Sequence, residues 1–245
     1  MLPAPVPAHG ISLPVQIPEA TSKFSVVTAG QRLLRVVVPV AAGFAAGAVP
    51  FSNLMAKRRA GVDLRDVGNG TVSGTGLSQV AGAGPVVVVG LFELAKGALG
   101  PLLAGRSHPY VRAVAGAAAV TGHNWSPALK GAGGRGISPA MGAMLVSGPA
   151  GTLVLLAGLV VGKLLGETAV GCLASDILLV PVVKRAHGRD AALAAGALLL
   201  PVLAKRLAGN AAPAAPSLSV FGNRLVFDRD TVAKAVPSPG PRSGR

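Results

Sequence analysis

The chain has 245 residues, 51% of them hydrophobic and only 13% charged, with a formal net charge of +14. Soluble domains carry about 25% charged residues, so much of this chain is not built to face water. One cysteine, Cys172, excludes an intrachain disulfide and a Cys-rich metal site. The basic residues fall between apolar runs and in the tails, forming no basic helix or basic-aromatic stripe, which argues against nucleic acid as a partner.

In chain order, residues 1–30 are rich in proline and polar groups and read as a flexible N-terminal arm, without a compact basic-then-apolar leader. Residues 36–56 carry no charge and are long enough for a helix that crosses a hydrocarbon core of roughly 30 Å. Lys57, Arg58 and Arg59 follow at once, the mark of a cytoplasmic end. Residues 61–76 form a polar, glycine-rich loop. Residues 77–104 form a second span, with Glu93 and Lys96 three apart on one helix face and able to pair.

Residues 113–122 begin a short third span. The glycine-rich basic loop Gly122-His123-Asn124-Trp125-Ser126-Pro127-Ala128-Leu129-Lys130-Gly131-Ala132-Gly133-Gly134-Arg135-Gly136 follows it. Glycines expose backbone N–H groups, and Lys130 and Arg135 add positive charge, a chemistry that suits a phosphate. Trp125 reads as an interface anchor. Residues 137–161 are apolar, with a break expected at Gly148-Pro149. Residues 168–183 span again, carrying Ser175 and Asp176. A charged turn at 184–190 precedes a shorter apolar run at 191–204. Residues 211–245 read as a basic, largely disordered tail, with one apolar patch at 220–227.

The expected fold is therefore all-α: a polytopic membrane protein of five to seven transmembrane helices, with the membrane domain at 31–210. If the loop after the first span is cytoplasmic, the loop at 130–135 lies on the same side, and the two glycine-rich loops meet.

Several motifs resemble the bacterial integral-membrane acyl-phosphate-dependent glycerol-3-phosphate 1-O-acyltransferases. Gly47-Ala48-Val49-Pro50-Phe51 is similar to their Gly-Ser-Ile-Pro-Phe. Asp63-Leu64-Arg65-Asp66-Val67-Gly68-Asn69-Gly70-Thr71 is similar to their Asp-Ile-Arg-Glu-Val-Gly-Ser-Gly-Asn. Glu93, Lys96 and Gly97 match an acidic residue three before Lys-Gly, and Gly122-His123 through Gly133-Gly134-Arg135-Gly136 resembles a Gly-His…Lys-Gly-Gly-Lys-Gly loop. Leu173-Ala174-Ser175 looks like a late Ser-Leu-Ala-Ser element.

The resemblance implies acyl transfer from acyl phosphate to the 1-hydroxyl of glycerol 3-phosphate in a bacterial plasma membrane, giving lysophosphatidic acid and phosphate. Acyl phosphate, glycerol 3-phosphate and membrane lipids are the expected partners. An activated ester needs no cysteine nucleophile, and no metal or organic cofactor is expected. Arg135, Ser175 and His123 are the candidate catalytic residues. Asn69, Thr71, Ser73, Thr75, Lys130, Gly133, Gly134 and Gly136 are the candidate substrate-binding residues. His123 reads either as a general base or as a histidine that fixes the loop.

The chain departs from the family pattern. Asn69 stands for a serine, Thr71 for an asparagine, Gly76 for a later asparagine, Gln79 for a basic residue and Ala132 for the first lysine of the phosphate loop. The region 199–206 lacks the family's His and Asn. A catalytically silent, lipid-binding or assembly relative is the alternative reading.

Overall fold

The computed structural model of the chain describes residues 29–231, so the expected arm at 1–28 and the last part of the expected tail, 232–245, lie outside the described residues. Nine α-helices follow in order among the described residues: α1 (Ala29–Gly47), α2 (Phe51–Ala60), α3 (Gly74–Ala81), α4 (Ala83–Ala104), α5 (Pro109–Asn124), α6 (Ile137–Ser147), α7 (Pro149–Leu164), α8 (Thr168–Ala208) and α9 (Leu218–Phe227). Two short 3-10 turns, Leu64–Asp66 and Pro127–Leu129, lie in the loops.

Two of the expected spans are divided differently. The first does not run unbroken to Ala56. It stops at Gly47 and resumes at Phe51, because Pro50 has no N–H to continue the ladder. The carbonyls freed there are taken by side chains from elsewhere: Ser126 Oγ donates to Ala48 O, and Lys96 Nζ donates to Val49 O at 2.9 Å. The second span starts at Ala83 rather than residue 77, since Gly82 at φ 78 separates the short α3 from α4. The break at Gly148 falls where the sequence places it.

The two late apolar runs form one element with a sharp reversal at Gly188, whose φ of 82 and ψ of −167 only glycine adopts readily. Asp176 and Arg206 are thirty residues apart, about 45 Å in an unbroken helix. Yet their side chains approach to 3.8 Å, so α8 is a helical hairpin.

With this hairpin, seven helical passes alternate in direction among the described residues: α1, α4, α5, α6, α7 and the two halves of α8. The segments Leu33–Ala60, Ala83–Ala104 and Thr168–Ala208 are each long and apolar enough to cross a membrane. Their outward residues are greasy, including Leu33, Val87, Leu91, Leu102, Ile177 and Leu200. Inside, small residues let backbones touch, as packed membrane helices require. Gly47 lies against the carbonyl of Ala119, Gly97 against that of Pro139, Gly142 against that of Leu94 and Gly171 against that of Gly158. A methyl group at any of them would collide with main chain. A core of Val120, Met144, Leu155, Leu179, Val183 and Leu198, with smaller neighbours, fills the centre.

Candidate functional site

Three stretches converge at the end of the bundle where α1, α5 and the second half of α8 finish: residues 61–73, 125–136 and 209–231.

The first loop is built by Asp63. Its carboxylate accepts from the Arg65 main-chain N–H at 3.0 Å, from Arg65 Nε at 3.0 Å and from Nη2 at 2.8 Å, and it lies 2.8 Å from Lys57 Nζ. The Arg65 hydrogen bond holds the Asp63 carboxyl well below the usual carboxylate range. Asn53 Oδ1 accepts from Leu64 N at 2.7 Å and draws Leu64 into a cluster with Ala56, Val72, Leu77, Val89 and Leu129. Asp63 and Arg65 thus shape the loop itself.

The second loop closes through Ser126, whose N–H donates to Ala132 O at 3.1 Å and whose carbonyl accepts from Gly131 N at 2.9 Å. Lys130 turns the chain at φ 56 and exposes its side chain. The loops touch directly: Val72 N donates to Gly133 O at 3.1 Å. Asn210, just past the end of α8, joins both. Its Nδ2 donates to Gly70 O at 2.8 Å and to Gly133 O at 3.0 Å, and its Oδ1 accepts from Gly133 N at 3.1 Å.

This bonding changes the part played by the glycines. Gly133 N–H is given to Asn210 and Gly134 N–H to His123 O at 3.3 Å, so neither is the open phosphate donor expected from composition. Gly134 is instead required by space, because a Cβ there would strike the His123 imidazole and Val72 O. Gly136 adopts φ 79 and starts α6, packed on Val120 and Asn124.

Behind the junction lies a buried charge cluster. Glu93 Oε2 sits 2.8 Å from Lys96 Nζ and 3.1 Å from His123 Nδ1. Glu93 and Lys96 pair as their spacing predicts. The carboxylate favours a proton on His123 Nδ1, leaving Nε2 against Gly134 at the loop junction. Lys205 is also buried, with Nζ 3.3 Å from Gly131 O and 5.1 Å above the Trp125 ring. Trp125 is therefore half-covered by a cation rather than freely facing lipid.

Arg135 reaches the same region with its side chain only 13% exposed, and its Nε lies 2.6 Å from Asp228 Oδ1. Asn69 Nδ2 donates to the carbonyl of the same residue, Asp228, at 3.1 Å. Asp228 belongs to a stretch expected to be disordered. Instead, Ser217 caps α9 by accepting from Val220 N, and Arg224 ties that helix to the end of α8. The apolar patch noted at 220–227 is the sequence signal for this helix.

Of the other expected site residues, Thr71 has a buried hydroxyl oxygen with no hydrogen-bond partner, at the loop junction. Ser73 caps α3 by accepting from Gly76 N at 3.2 Å, and Thr75 is exposed on that helix. Ser175 lies on α8 rather than in either loop. Its Oγ donates to Cys172 O at 2.8 Å, and its side chain packs on Gly158 of α7. The neighbouring Asp176 faces Arg206, whose guanidinium donates to Ala169 O and Leu225 O. Among the described residues, no group of three His, Cys, Asp or Glu is placed to hold a metal ion.

A helical bundle with a greasy exterior, three segments long and apolar enough to cross a membrane among the described residues and a polar loop junction at one end is an integral membrane protein. The profile of the family described as Glycerol-3-phosphate acyltransferase matches residues 37–210, and the chain belongs to that family. It is 35% identical over 121 residues to Glycerol-3-phosphate acyltransferase 4 of Dehalococcoides mccartyi (strain CBDB1), covering 49% of this chain and 52% of that one. It is 38% identical over 141 residues to Glycerol-3-phosphate acyltransferase of Myxococcus xanthus (strain DK1622), covering 54% and 73%. The chain spans about half the length of several curated relatives it matches. A crystal structure of PlsY (YgiH), an integral membrane glycerol 3-phosphate acyltransferase in its glycerol 3-phosphate form, shares the fold with a TM-score of 0.63 at 23% identity, covering 70% of this chain and 88% of that one.

Proposed function

We propose that this protein transfers an acyl group from acyl phosphate to the 1-hydroxyl of glycerol 3-phosphate, giving lysophosphatidic acid and inorganic phosphate. The observation that carries the reading is the meeting of two glycine-rich loops at one end of a membrane bundle, with Asn210 bonded to both and Arg135, Lys130, Asn69 and Thr71 around the seam. Membership of the glycerol-3-phosphate acyltransferase family supports the acceptor. PlsY has been captured with glycerol 3-phosphate and with lysophosphatidic acid, which supports both acceptor and product.

The acceptor oxygen attacks the acyl carbonyl carbon, the bond from that carbon to the phosphate oxygen breaks, and the hydroxyl proton leaves with the phosphate. The donor is already activated, so the protein's task is to orient two anions and stabilise charge on the departing phosphate. Arg135 suits bidentate phosphate binding, and Lys130 adds a point charge. Asn69 and Thr71 supply hydrogen bonds from the facing loop, and His123 Nε2, packed beside Gly134, accepts the hydroxyl proton on its way. The acyl tail lies in the bilayer. Lys57, Arg58 and Arg59 lie at the same end as the loops and favour a cytoplasmic site in a bacterial plasma membrane.

The test is phosphate release and lysophosphatidic acid formation by the purified protein in detergent, given acyl phosphate and glycerol 3-phosphate. Absence of both products sinks the reading. A second reading, a relative that binds acyl phosphate without turning it over, is favoured by the occupied Arg135 guanidinium. Saturable acyl-phosphate binding without release of phosphate would establish it.

A further inference from the structure

The segment 211–231 lies beyond the residues matched by the family, yet it reaches the centre of the candidate site. Its root is fixed. Arg224, 5% exposed, donates from Nη1 to Ala208 O at 2.7 Å and to Leu207 O at 3.2 Å, and from Nη2 to Ala211 O at 2.9 Å. Arg206 Nη1 donates to Leu225 O at 2.9 Å, so α9 is held onto the end of α8. Its tip then turns. Asp228 ends α9 at φ 56, a left-handed conformation that Asp tolerates better than most residues. That turn aims the carboxylate at Arg135 and the carbonyl at Asn69. One acidic residue thereby occupies two groups that suit an anion, one from each glycine-rich loop.

A carboxylate and a phosphate oxygen compete for the same guanidinium fork. We propose that 211–231 is an internal strap that mimics the anionic substrate: Asp228 fills the anion position at Arg135, and a phosphate-bearing ligand binds by displacing it while Arg224 keeps the root in place. The inference rests on the proposed role of Arg135 in holding phosphate. Beyond Asp228 the Asp230 carboxylate is bonded to Arg224 and moves with the root, whereas Arg229 to Glu167 at 2.8 Å is exposed on both sides and weak enough to yield.

The test uses the full chain in detergent, with inorganic phosphate and glycerol 3-phosphate as probes. Asp228→Asn keeps the shape and the carbonyl but removes the competing charge, and it should tighten phosphate binding about tenfold, the worth of one charge-assisted contact. The gain should vanish in Asp228→Asn combined with Arg135→Gln. Hydrogen exchange on the unaltered protein gives an independent readout, with amides at 225–231 exchanging faster when phosphate saturates. The strap is overturned if Asp228→Asn binds phosphate no better than the parent while Arg135→Gln weakens both, or if exchange at 225–231 stays flat or slows. If Arg135→Gln changes phosphate affinity in neither background, or neither form binds, the role of Arg135 itself is wrong and the strap falls with it.

Discussion

Asn210→Ala is the most informative single perturbation of the loop junction. The carboxamide makes three hydrogen bonds to main chain, two to Gly133 and one to Gly70. Each such bond contributes about 0.5–1.5 kcal/mol net, and a buried donor left without a partner costs about 1–3 kcal/mol. Gly133 O keeps Val72 N as a partner after the substitution, whereas the buried Gly133 N–H keeps none. The expected loss of local stability is therefore about 2–4 kcal/mol, carried mostly by Gly133. Hydrogen exchange resolves it: Gly133 should exchange roughly 30- to 10³-fold faster, with α4 and α5 unchanged. Turnover should fall in parallel, because the two loops lose their common tie. Asn210→Asp keeps the acceptor for Gly133 N–H and loses the donors, so it should fall between the two. Unchanged protection at Gly133 in Asn210→Ala would refute the idea that this side chain holds the loops together.

Lys96→Met should destabilise the bundle by about 1–3 kcal/mol, since it removes one of the two partners of the buried Glu93 carboxylate, which keeps His123, and takes a side-chain donor from the Val49 carbonyl, which keeps Phe51 N; thermal denaturation in detergent measures this, and a variant of parental stability counts against it. Gly188→Ala should cost about 1–3 kcal/mol, because φ 82 with ψ −167 is a region for glycine; an unchanged melting temperature would mean that the hairpin turn is not fixed at this residue. For pH, the folded Asp63 carboxyl is depressed, so its stabilisation is complete above the ordinary carboxylate range, near pH 4, and is lost as pH falls below it. Protection of the 61–67 amides should thus persist between pH 5 and pH 7 in the parent, whereas Asp63→Asn should lower it equally at both.

The apolar runs, the break at Gly148 and the Glu93–Lys96 pair were all legible in the sequence, because length, proline position and helical spacing act locally. The split of the first span was harder to read. Pro50 announced it, but the partners that make it tolerable, Ser126 and Lys96, come from distant segments. For the glycine-rich loop, composition suggested open amides. Asn210 and His123 take two of them, and no local pattern tells which tertiary partner a free N–H will find. Ser175 stood out as a polar residue in a span, yet its neighbours, Gly158 and the Cys172 carbonyl, are set by how α7 and α8 pack, which no local pattern shows. Asp228 was hidden because the proline-, alanine- and serine-rich run at 211–219 masks the ten-residue helix that follows it, which Arg224 ties to the end of α8.

The glycine seams have a bearing on how a long-chain lipid would be measured. Where Gly47 meets Ala119, Gly97 meets Pro139 and Gly171 meets Gly158, peptide backbones leave no room for a methylene between them. No ruler-like tunnel runs along those contacts. Any hydrocarbon tail that meets the bundle has to pass beside these crossings rather than through them.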